Sequence, residues 1–114
     1  MALNNLQEEI KNNKEILLLQ LKQKDCPICN DFKKIIDKTK LKHLGKLKVI
    51  ECELQDFEEV NVFPHPIYPM NFFYVSGQEY PFIRAGACTE EQLDNEITKF
   101  SRVLKGETIN EVFN

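Results

Sequence analysis

In "QKDCPICNDF", residues 23–32, Cys26 and Cys29 stand three positions apart, with Pro27 and Ile28 between them and an apolar, lysine-bearing run behind. Two thiols at this spacing can close a disulfide, supply half of a tetrahedral zinc site, or pack in a core as small hydrophobes. At a strand-to-helix junction the first sulfur lies at the helix N-terminus, where unpaired N–H groups and the macrodipole stabilise a thiolate. Cys26 is then the nucleophile. Cys29, one turn inside the helix beside Ile28 and Phe32, is less exposed and acts as the resolving thiol that attacks a mixed disulfide at Cys26. Pro27 suits the first helical turn, where its missing N–H would be unpaired anyway. Zinc would need its other ligands from Cys52, Cys88, His43 or His65, and none of these forms a second close pair.

The elements around the pair follow from periodicity. Leu3, Leu6 and Ile10 recur at helical spacing up to Asn12 and Asn13, which predicts an amphipathic helix over residues 2–12. "EILLLQL" is a nearly unbroken apolar run of strand length, as expected of a central strand covered on both faces, and the cysteines follow its end. Phe32, Ile35, Ile36 and Thr39 share one face of a helix expected to run to about Leu44 and to close at Gly45. "KLKVIECEL" reads as a second strand. Residues 55–68 resist assignment, with five acids in residues 51–59 and three prolines in residues 64–69. "MNFFYV", Ser76-Gly77 and "QEYPFIRA" read as a hairpin whose second strand is an edge, because it contains Pro81. "TEEQLDNEITKFSRVL" starts with a capping box, Thr89 and Gln92, and should end at Gly106.

With 114 residues, 42% hydrophobic and 29% charged, the chain fits a single domain over residues 1–114 that folds without staples. Four cysteines at uneven spacing do not make a secreted disulfide scaffold. No basic, apolar leader opens the sequence and no run approaches the ~20 apolar residues of a membrane span, so a cytoplasmic protein without membrane contact is expected. The net charge of −3 divides into +7 over residues 11–48, −8 over residues 49–114 and −2 over residues 1–10. The lysine-rich part has no arginine and little aromatic interleaving, which suits a solvated helix face better than a nucleic-acid surface.

Beyond "CPIC", the segment "YPMNFFYVSGQEYPFIRAGACTEEQL" resembles the second half of a thioredoxin: a proline opening a strand, a glycine turn, a returning strand, a glycine, and an N-capped final helix. Pro69 also follows Cys26 by 43 residues, a separation similar to that in the thioredoxin superfamily. The resemblance covers nearly the whole chain. It implies an α/β thioredoxin fold, a mixed four-stranded sheet with a parallel pair and an antiparallel hairpin, flanked by helices. It further implies that Pro69 is a cis-proline against the disulfide, with Pro64 and Pro66 as rivals for that place. The Tyr68 backbone would pair with a bound polypeptide, and Gly86 would line the substrate groove. Two positions depart from the pattern: Asp25 replaces a Trp, and Gln20 replaces a buried Asp. "CPIC" is closer to the glutaredoxin "CPYC", but "AGACTEEQL" lacks the paired glycines and acids with which glutaredoxins hold glutathione.

The expected activity is reduction of protein disulfides through Cys26 and Cys29, with substrate contacts at Ile28, Tyr68 and Gly86 and with Pro27 and Pro69 in support. No metal or organic cofactor is expected. Electrons would come from a reductase or glutathione, and the chain would act as a monomer. Alternatives are a non-catalytic thioredoxin-fold binding module, a glutathione-dependent glutaredoxin, and a zinc or iron–sulfur protein using the same pair. Cys52 and the run Phe72, Phe73, Tyr74 are read as core. Cys88 and His65 are read as loop positions.

Overall fold

The computed structural model describes residues 3–53, 68–76 and 82–113. Its centre is β1, Ile16–Leu21, with every residue buried. β1 pairs in parallel with β2, Leu47–Cys52, and antiparallel with β3, Met70–Val75. β4, Phe82–Ala85, pairs antiparallel with β3, so the strand order is β2-β1-β3-β4. An all-buried strand needs cover on both faces, and alternation divides its side chains between two cores. Leu17, Leu19 and Leu21 meet Leu6 and Ile10 of α1, Leu3–Asn12, together with Phe72 and Tyr74. Ile16 and Leu18 meet Phe32 and Ile36 of α2, Pro27–Lys42, and Leu93, Ile97 and Phe100 of α3, Glu90–Leu104.

The ends of the helices follow local chemistry. Thr89 Oγ1 accepts from the Gln92 N–H at 3.1 Å while Gln92 Oε1 accepts from the Thr89 N–H at 3.0 Å, the reciprocal capping box that opens α3. Past its end, Gly106 takes φ +108°, a left-handed conformation in which a side chain is costly. α2 stops at Lys42, two residues short of the expected end, with His43 as its cap. His43 Nε2 lies 2.7 Å from Asp94 Oδ1 and ties α2 to α3.

A further helix, α4, spans Ile109–Phe113 and was not expected from periodicity. It opens on Thr108 and Glu111, with the Glu111 N–H donating to Thr108 Oγ1 at 3.2 Å. "TINE" thus repeats the pattern of "TEEQ". Phe113 joins Phe82 and Phe100, with ring centroids 5.7 and 5.4 Å away. The hairpin expectation holds for strand direction and for β4 as an edge. Gly77 and Pro81 lie outside the described residues, as do residues 54–67 with Pro64, His65 and Pro66.

Phe100 also lies 4.9 Å from Phe73 and 5.1 Å from Phe82, which places it at the junction of β3, β4, α3 and α4. Phe100→Ala should cost about 3–5 kcal/mol in chemical denaturation, whereas Ile109→Ala, at a 40% exposed position, should stay within about 0.5 kcal/mol. Burial, reinforced by Cys52, pushes the Tyr74 hydroxyl up from 10.0 to about 12. The unfolded chain releases this proton first, so stability is intact below pH 10 and falls as pH rises toward 12. Denaturation midpoints measured across that range should fall less steeply in Tyr74→Phe.

Candidate functional site

β1 delivers the chain to the cysteines through an exposed turn in which Asp25 adopts φ +58°. Asp is among the residues that tolerate this conformation best, through local hydrogen bonding of its short side chain. Cys26 is the N-cap of α2 in extended geometry, and Pro27 occupies the first turn. The Cys29 backbone N–H donates to Cys26 Sγ at 3.1 Å, and the Asn30 N–H donates to the Cys26 carbonyl at 3.1 Å. Cys26 and Cys29 form a disulfide, with Cα atoms 5.2 Å apart. Cys29 is only 5% exposed, while Ile28 projects beside it at 58%. Outside the turn, Lys22 Nζ is paired with Glu51 Oε2 at 3.0 Å.

The antiparallel pairing of β1 and β3 brings Tyr68 and Pro69 to the same sheet end as the cysteines, since Leu21 is opposite Met70. The Tyr68–Pro69 peptide bond is cis. Pro69 is buried, and Tyr68 packs against the core on the α1 side. Beyond β4, Gly86 at φ +78° donates its N–H to the Pro69 carbonyl at 2.8 Å. Ile28, Tyr68, Pro69 and Gly86 therefore lie on loops or helix starts around one end of the sheet. Gln20, which stands where the resemblance places a buried acid, is 1% exposed and lies opposite Asn71.

Cys52 is buried in the α1-side core. Cys88 stands in the loop between β4 and α3, as expected, but it is half-buried there and packs against the α2 and α3 side. Burial pushes its thiol up, partly opposed by Arg84, whose guanidinium is 2.8 Å from Glu96. Sequence reasoning did not single out Asn71 or Arg84. For Asn71 a signal existed, a lone amide within "MNFFYV". Among the described residues, no three His, Cys, Asp or Glu side chains gather as metal ligands. No helix among them is long and apolar enough to cross a membrane.

No protein-family model and no curated protein matches the sequence. The structure is similar to chloroplastic thioredoxin z, whose crystal structure is described as defining a novel type-specific target recognition. The TM-score is 0.73 at 10% identity, covering 90% of this chain and 92% of that one. The chain has the thioredoxin fold, and a cysteine pair at disulfide distance begins its first crossover helix.

A raised thiol pKa leaves less thiolate at a given pH, so Cys88 should alkylate more slowly than an unperturbed thiol near pH 8. Arg84→Gln removes the opposing charge and should slow it further. Timed alkylation with peptide mass mapping reads both.

Proposed function

We propose that this chain is a dithiol:disulfide oxidoreductase that reduces protein disulfides. The observation that carries the reading is the position of Cys26, an N-cap sulfur that receives a backbone N–H and is joined to a buried partner one turn on. The Cys26 thiolate attacks one sulfur of the substrate disulfide, forming a mixed disulfide and releasing a substrate thiolate that takes a proton from water. Cys29 then loses its proton and attacks Cys26 Sγ, which expels the second substrate thiolate. Two electrons pass to the substrate, and the Cys26–Cys29 disulfide is the oxidised product. A reductase or glutathione returns it to the dithiol.

The helix start favours negative charge at the first sulfur, and enclosure keeps the second from competing for substrate. Polypeptide recognition would use main-chain pairing at Tyr68 and apolar contact around Ile28 and Gly86, an extended mode in which backbone hydrogen bonds give affinity and side chains give selectivity. The segment before α3 offers Ala85, Ala87 and Thr89, which provide little anchorage for the charged ends of glutathione. This favours protein disulfides over glutathione mixed disulfides. Pro27 and Pro69 support the site, Pro27 by fitting the first turn and Pro69 by opening β3 at the same sheet end.

Cys26→Ser should lower reduction of a protein disulfide such as that of insulin to the uncatalysed rate. Cys29→Ser should make a single attack and accumulate a mixed disulfide that is visible by non-reducing electrophoresis and mass spectrometry. Equal trapping by both variants would reverse or abolish the assignment. Efficient turnover of a glutathione mixed disulfide with no insulin reduction would make the chain a glutaredoxin in function.

A further inference from the structure

Asn71 is a fully enclosed amide in a strand whose other residues are apolar apart from the Tyr74 hydroxyl. Enclosing an amide is unfavourable unless its polar atoms are paired. Its Nδ2 donates twice, to the Arg84 carbonyl at 3.3 Å and to the Gly86 carbonyl at 3.1 Å. Because both partners are acceptors, the amide cannot be turned round without setting oxygen against oxygen. Oδ1 then faces away and has no hydrogen-bond partner among the described residues. The same is true of Nε2 of Gln20, the residue opposite Asn71 on β1. Gln20 lies two residues from Leu18 and Asn71 two from Phe73, which places both amides on the α2 side of the sheet, at the end where Cys26 and Cys29 begin α2. An apolar pair would extend that core without orphaned atoms.

The two bonds of Nδ2 fix the backbone where β4 leaves the sheet. Gly86 follows the last residue of β4 in a left-handed conformation, and its N–H is held by Pro69 at 2.8 Å. Asn71 therefore secures the carbonyl of a residue whose N–H already secures Pro69, and closes the end of the β3–β4 ladder from both sides.

We propose that Asn71 is a positioning residue for polypeptide substrates, holding the Pro69–Gly86 backbone in register for an extended chain laid across the sulfurs. The inference rests on the protein-disulfide reading. Asn71 acts through that backbone and plays no part in the sulfur chemistry, so a small disulfide, reduced by Cys26 and Cys29 without main-chain pairing, is indifferent to it.

The experiment compares Asn71→Leu and Asn71→Asp with the unaltered chain on insulin and on a small aromatic disulfide, using a dithiol as reductant. Both variants lose the donors, and the second keeps the shape. The expected result is a KM for insulin raised about tenfold, with kcat and the small-disulfide rate within about twofold. Equal losses on both substrates, or no change on either, would overturn the role of Asn71 and leave the protein-disulfide reading intact. An unaltered chain that reduces the small disulfide but not insulin would overturn both. A second measurement does not depend on the variants folding: in Cys29→Ser carrying a disulfide-linked peptide on Cys26, the Asn71 side-chain amide protons should shift and exchange more slowly by NMR. Signals unmoved by the peptide would equally overturn the assignment.

Discussion

Enclosure of β1 on both faces is the constraint from which the rest of the molecule follows. Six buried residues in a row cannot be satisfied by a sheet with one wet face. Helices must cover both sides: α1 covers one, and α2 with α3 covers the other. The parallel partner β2 can be reached only by a crossover, and α2 is that crossover. Its first turn therefore falls at the end of β1, which is where the cysteines stand. The position of the sulfurs is a consequence of how the central strand is covered.

The same constraint explains why a second group of residues arrives at the site from far along the chain. An antiparallel neighbour of β1 must begin where β1 ends, so the start of β3 lies beside the start of α2. β4 returns to this end and leaves it through Gly86. Loops at one end of a rigid sheet can then be shaped by a few hydrogen bonds, and the bond from Gly86 to Pro69 is the clearest.

Much of this is legible in the sequence. The runs "EILLLQL" and "MNFFYV", the capping signal at Thr89 and the placement of "CPIC" each speak through local periodicity or hydrogen-bonding chemistry. α4 was missed because five residues are too short for a helical repeat to register, although Thr108 and Glu111 carry the same capping signal as α3. The end of α2 falls two residues before the one read from Gly45, because His43 caps the helix first, its N–H held by the Thr39 carbonyl, a contact that the position of a glycine does not reveal. The partial burial of Cys88 and the pairing of Asn71 with distant carbonyls were not legible, since both depend on contacts between elements that a one-dimensional pattern does not contain.

The sheet also acts as a partition between sulfurs. Four cysteines permit three complete pairings, and oxidative scrambling would normally sample them all. Here Cys52 belongs to the core on the α1 face while Cys88 packs on the opposite face, with the hydrogen-bonded strands between them. Neither thiol can reach the other without opening the sheet. A second disulfide within the folded chain, joining Cys52 to Cys88 beside Cys26–Cys29, would therefore require the strands to part, so the architecture limits internal oxidation to the pair at the helix start.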